Sequence, residues 1–191
     1  MLQRRDVLKT GFSALLMATM SCSARLAAAG VAPASAANAL SVKLAAALRK
    51  TGNPTCASAA GRLLTRAEPG LVDLHLRAAG LSPAHVEHLA AAMQSLTGPE
   101  ASCLSSLSLS YNPQIGDAGV LRLTQALPRN LPELGLVGCQ IGDSGGDALL
   151  AWVRQTTRLT MLCIEGNHFS SDLKERFIAH ARANSDLSLY I

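Results

Sequence analysis

Aromatic residues are scarce in this 191-residue chain: three Phe, two Tyr and one Trp, 3% of the total. A core built on stacked rings is thereby excluded, and Leu, Ala, Ile and Val must fill the interior. The same scarcity leaves no cluster of Trp, Tyr and Arg of the kind that marks an energetic hot spot on a binding face. Charge is thin too, at 16%. Lys and Arg number 17 against 13 acidic residues, a net charge of +4, but the excess sits at the front. Beyond Arg4, Arg5, Asp6, Lys9 and Arg25, the remainder holds 13 basic and 12 acidic groups. No electrostatic footprint for nucleic acid or for an anionic membrane remains. The uncharged run at residues 10–24 falls short of the ~20 residues that a bilayer-crossing helix needs.

What the first residues do contain is an address. Gln3-Arg4-Arg5-Asp6-Val7-Leu8-Lys9 places paired arginines one residue ahead of two apolar residues and a lysine. A moderately apolar stretch follows at residues 12–24. Ala27-Ala28-Ala29, Ala34-Ser35-Ala36 and Ala37-Asn38-Ala39 each offer a small-x-small cleavage site. The segment resembles a twin-arginine signal peptide, with Arg4 and Arg5 as its export signal. That resemblance implies removal of residues 1–39, only transient contact with the membrane, and a periplasmic or secreted product of a bacterial type. A retained amphipathic helix is the bland alternative, and would leave the protein in the cytoplasm. Cys22 lacks a good small-residue box ahead of it, since Thr19-Met20-Ser21 is a poor version, so lipid attachment there is not expected.

Beyond residue 71 the chain repeats itself. Leu104-x-x-Leu107-x-Leu109-x-x-Asn112 is followed by Leu131-x-x-Leu134-x-Leu136-x-x-Cys139-x-Ile141, then by Leu159-x-x-Leu162-x-Ile164-x-x-Asn167-x-Phe169. An earlier copy reads Leu71-x-x-Leu74-x-Leu76-x-x-Ala79-x-Leu81, and the four starts are 33, 27 and 28 residues apart. Alternating Leu residues such as Leu134 and Leu136 are the period-two mark of a strand buried on one face. At the ninth place Asn112, Cys139 and Asn167 turn inward, where an amide, or a thiol more weakly, can satisfy backbone groups left without partners at the bend. The second half of each copy reads as a helix. In the twin turns Ile115-Gly116-Asp117-Ala118-Gly119 and Ile141-Gly142-Asp143-Ser144-Gly145 the Asp stands where an N-cap belongs. Ser82-Pro83 and Ser170-Ser171-Asp172 open the flanking helices. Pro113 inserts one residue into its copy, and Gly98, Pro99 and Glu100 are expected to form a loop. A plain helical bundle would explain the Leu and Ala content but neither the recurring Asn/Cys place nor the twin turns.

Pattern and period resemble the leucine-rich repeat in its long, ribonuclease-inhibitor-like form. The resemblance covers residues 71–191. It implies an α/β solenoid: a short, curved parallel sheet on the concave face, helices on the convex face, and about four copies plus a terminal partial strand. Residues 40–70, with Leu40, Leu44, Ala47 and Leu48 at helical spacing and a second helix carrying Leu63 and Leu64 inward, are read as a helical N-terminal cap.

Two motifs tempt toward chemistry. Gly142-Asp143-Ser144-Gly145-Gly146 matches the surroundings of the chymotrypsin-like nucleophile, which would make Ser144 the centre of a serine hydrolase. The same turn one copy earlier has Ala118 in that place, and no matching histidine segment lies upstream. His85-x-Glu87-His88 puts two imidazoles on one helix face, with no third ligand in sight. No catalytic residue, metal or cofactor is therefore expected. Of the four later cysteines, Cys139 belongs to the buried ladder and Cys163 to the outward strand face, while Cys56 and Cys103 lie close enough in the repeat frame for pairing to stay open.

The strand positions opposite the buried leucines are Asp73, His75 and Arg77, then Ser106, Ser108 and Ser110 with Tyr111. Glu133, Gly135 and Val137 follow, then Met161, Cys163 and Glu165. In related solenoids this concave face binds proteins, so the expectation is a non-enzymatic protein-protein interaction module. The partner's identity stays open, and the competing reading is an intracellular or effector-type scaffold with an uncleaved N-terminus.

Overall fold

Leu40, Leu44 and Leu48 recur at helical spacing and form the fully buried stripe of helix α1 (Ala34–Lys50). The protein is seen here as a computed structural model that describes residues 34–66 and 70–191. Arg4, Arg5, Cys22 and the Ala27-Ala28-Ala29 triplet lie outside the described residues. α1 begins upstream of the expected boundary at 40, because Ala36 and Ala37 are themselves buried. Asn53 then opens α2 (Pro54–Leu64) by accepting from the backbone N–H groups of Thr55 and Cys56. Leu63 faces inward as expected, whereas Leu64 is exposed, one step round the helix.

Five strands follow, alternating with helices: β1 (Val72–His75), α3 (Pro83–Gln94), α4 (Gly98–Cys103), β2 (Leu104–Ser108), α5 (Gly116–Thr124), β3 (Glu133–Gly135), α6 (Asp143–Val153), β4 (Met161–Cys163), α7 (Ser171–Ala183) and β5 (Ser188–Tyr190). They form one parallel sheet in sequence order. Leu74, Leu107, Leu134, Leu162 and Leu189 lie side by side in the register. The first four are almost wholly buried, each worth roughly 1.5–3 kcal/mol over an exposed state. β5 thereby places the closing Leu187-x-Leu189-x-Ile191 segment, with Leu189 in the frame of Leu162.

The first copy departs from its expected frame. Leu71 is 38% exposed, and Val72 takes the buried place opposite Leu104. The cause is one extra residue in β2: the register slips between Val72 and Asp73, so that Asp73 pairs with Ser106 and skips Ser105. The expected loop at residues 98–100 is helix α4. Glu100 folds back to accept from Thr97 N at 2.7 Å and forms an ion pair with Lys43 of α1, also at 2.7 Å. A capping box of this kind nucleates a helical turn out of Gly-Pro, and the ion pair ties it to α1. Leu121, read as inward on α5, is exposed. Cys56 and Cys103 are both buried free thiols, and Cys103 donates to Pro99 O at 3.2 Å.

The two Ile-Gly-Asp-x-Gly turns do something other than cap their own helices. Asp117 lies inside α5, and its Oδ1 accepts from Gly142 N at 2.7 Å and Gly145 N at 3.0 Å. It therefore caps α6, the helix of the next repeat. Asp143 repeats the gesture, accepting from Ser170 N at 2.8 Å. The glycines permit this approach. A Cβ on Gly145 would stand 2.7 Å from Asp117 Oδ1, and one on Gly146 2.4 Å from Leu173 Cδ2. Among the described residues no helix is long and apolar enough to cross a membrane.

Candidate functional site on the outer face of the sheet

Each strand ends on one residue with left-handed backbone: Ala78, Tyr111, Gly138 and Gly166, at φ of +51°, +61°, +61° and +67°. The turn beyond is closed by the ninth-place side chains. Asn112 Oδ1 accepts from Leu81 N at 3.0 Å, while its Nδ2 donates to Leu76 O at 2.9 Å and Leu109 O at 2.6 Å. Asn167 does the same one turn later, accepting from Cys139 N and Ile141 N and donating to Leu136 O and Ile164 O. Cys139 Sγ donates to Leu109 O at 3.3 Å. The structure brings the three together as the expected ladder, and each side chain bridges two consecutive repeats.

This ladder holds the strands so that their other side chains share one face. His75, Arg77, Ser106, Ser108, Ser110, Tyr111, Glu133, Gly135, Val137, Met161, Cys163 and Glu165 line a single shallow depression there. Asp73 points the same way but sits at its edge, beside Arg62 and Arg66 of the α2 segment. The face divides into two halves. Over β1 and β2 the charged groups are already engaged: Asp73 accepts from Ser105 Oγ, and His75 Nε2 lies 3.0 Å from Ser106 Oγ. The Arg77 guanidinium stacks 3.9 Å from the centre of the Tyr111 ring, within cation–π range. Tyr111 occupies a backbone conformation that glycine takes in the next two copies, a strain that persists where a side chain has a use. Ser108 donates to Ser110, whose Oγ in turn accepts from Val137 N.

Over β3 and β4 the charges are bare. Glu133 and Glu165 make no hydrogen bond or ion pair among the described residues. They flank Cys163, whose thiol pKa is pushed up to about 11, first by burial and then by the charges of Glu165 and Glu133. A thiol held protonated in this way is a poor nucleophile and a poor metal ligand. Between the halves Gly135 leaves a dimple, since a Cβ there would stand 3.0 Å from Ser108 Oγ and 3.2 Å from Ser110 Oγ.

The other candidates stand apart from this face. Ser144 is exposed in the first turn of α6 and has no hydrogen-bond partner among the described residues. His85 Nδ1 accepts from Ser82 N at 3.1 Å at the start of α3, a capping role, and Glu87 pairs with Arg122. Among the described residues no three His, Cys, Asp or Glu side chains gather in a metal-binding geometry.

The Leucine Rich repeat family profile matches residues 100–123 and 128–150, the second and third copies with their strands, ladder positions and helices. The chain is a leucine-rich repeat protein. Its mixed helix and parallel-strand architecture is that of an α/β repeat fold, and leucine-rich repeat domains generally mediate protein-protein interaction. No curated protein matches the chain. Sequence reasoning about this repeat protein missed the Arg77–Tyr111 stack, the bare carboxylates and the cross-repeat role of Asp117. Only the last had a signal, in the recurrence of Gly-Asp-x-Gly one repeat apart.

Proposed function

We propose that this chain is a non-enzymatic binding module of the ribonuclease-inhibitor-like type, whose outer sheet face is the concave side of a short solenoid and takes a protein partner. One observation carries the reading: five strands present a continuous depression in which backbone groups are paired and side chains are free to make contacts. α1 and α2 cover the first repeat as a helical cap, burying Leu40, Leu44 and Leu48. The test is photocrosslinking in the producing cell, with benzoylphenylalanine at Ser108 or Val137 and, as control, at Lys174 on α7. A discrete adduct from the sheet positions alone supports the reading; equal labelling from Lys174 sinks it.

The module acts outside the cytoplasm, after export directed by Arg4 and Arg5. Ala36 and Ala39 lie within α1, so cutting after either would remove its first turn and the packing of Ala36 and Ala37. Cutting after Ala29 leaves α1 whole. N-terminal sequencing of the periplasmic product, with Arg4→Lys/Arg5→Lys as control, checks both points. An intact cytoplasmic chain in each case would put the intracellular scaffold first.

A further inference from the structure

We infer that the partner inserts a basic side chain, Lys or Arg, into the dimple over Gly135, between Glu133 and Glu165. The inference rests on the binding reading above and specifies the chemistry of what binds. Charge complementarity is its ground. The His75, Arg77 and Asp73 side chains of β1 already have Ser106, Tyr111 and Ser105 as partners, so they offer little to a newcomer. Glu133 and Glu165 have none among the described residues, and they stand on adjacent strands, both near enough to Cys163 to act on its thiol through charge.

Shape agrees with charge. Gly135 is the one strand residue of this face that lacks a side chain, and the surrounding hydroxyls of Ser108 and Ser110 stand within 3.2 Å of where its Cβ would be. Val137 and Met161 supply apolar walls, Met161 being exposed. A long, straight side chain with a cationic tip can lay its methylenes on such walls and carry its charge to the carboxylates. An acidic side chain would be repelled, and a bulky aromatic one would leave both carboxylates desolvated without a partner.

The test is selection of a phage-displayed random dodecapeptide library on the folded repeat protein, followed by affinity measurement of the enriched peptides. Expected are peptides enriched in Lys or Arg that bind roughly tenfold more weakly to Glu133→Gln/Glu165→Gln. The same peptides should be lost from Gly135→Phe and from Met161→Glu, the second variant guarding against misfolding of the first. Selection on Glu133→Lys/Glu165→Lys should instead enrich Asp and Glu. Peptides that Gly135→Phe and Met161→Glu abolish, but that carry no basic excess, would overturn the inference and leave the binding face standing. Failure to select any peptide, or selected peptides indifferent to all these variants, would overturn both.

Discussion

The turns closed by Asn112 and Asn167 and the turn closed by Cys139 occupy the same place in three successive repeats, yet the amides make four bonds each and the thiol two. The reason lies one repeat upstream. Asn112 must accept from Leu81 N, and Asn167 from Ile141 N. The equivalent group for Cys139 is Ile115 N, and that N–H already donates to Asn112 O at 3.0 Å. Pro113 is the cause: the inserted residue lets the Asn112-to-Ile115 turn close on itself, and proline adds no donor of its own. With no acceptor required, a side chain that only donates is enough, and Cys139 Sγ still reaches Leu109 O. The ladder thus obeys the local count of unpaired groups, and an irregularity in one repeat is answered in the next.

The largest effect should come from Asn112→Ala, which strands Leu81 N and Leu76 O in a fully buried site. Denaturant unfolding is expected to show a loss of about 3–5 kcal/mol, against about 1 kcal/mol for Cys139→Ala, where mainly packing is lost. Equal losses would mean that the thiol does the work of an amide. A double-mutant cycle sharpens the point. Cys139→Asn alone should destabilise, by crowding and by an acceptor without a donor. Deletion of Pro113 frees Ile115 N, and in that background Cys139→Asn should recover about 1–2 kcal/mol. Additivity in the cycle would refute the link.

Smaller changes probe the contacts between helices. Asp117→Ala should cost about 1–1.5 kcal/mol and raise amide exchange at Gly142 and Gly145, in α6, while α5 itself stays protected. Exchange that rises in α5 would return Asp117 to its own helix. The smallest effect is acid-dependent. The Lys43 ammonium, and then Thr97 N, hold Glu100 below the usual carboxylate range; the Ser170 N–H and hydroxyl do so for Asp143. Both pKa values are depressed in the folded state, so both contribute stability above the ordinary carboxylate range. That contribution is lost as pH falls through the lowered folded values. Glu100→Gln and Asp143→Asn should therefore lower stability at neutral pH and flatten the acid limb of the stability curve, each slightly. An unchanged limb would show these contacts to be too solvated to matter.

How legible the protein was follows from which groups act locally. Strand leucines and ladder residues repeat because each copy solves the same problem of burying one face and satisfying one bend, so Leu107, Leu134, Leu162, Asn112 and Asn167 stood out in order. Every outward position from Asp73 to Glu165 followed from that alternation. Leu71 misled because the slip at Ser105 belongs to strand pairing, which a one-dimensional frame does not contain. The loop expected at Gly98-Pro99 misled because Lys43, more than fifty residues upstream, holds the Glu100 cap in place.

By itself, the order of residues determined the repeat period, the alternation of strand and helix, the inward and outward faces, and the ladder, since all of these depend on neighbours a few residues apart. The tertiary structure alone decided what crosses from one repeat to the next. Asp117 reaches α6, Ile115 N is satisfied before Cys139 could help, Arg77 rests on Tyr111, and Glu133 and Glu165 are left facing solvent together. Those pairings join groups about 25 to 35 residues apart, where sequence separation says nothing until the repeats are stacked.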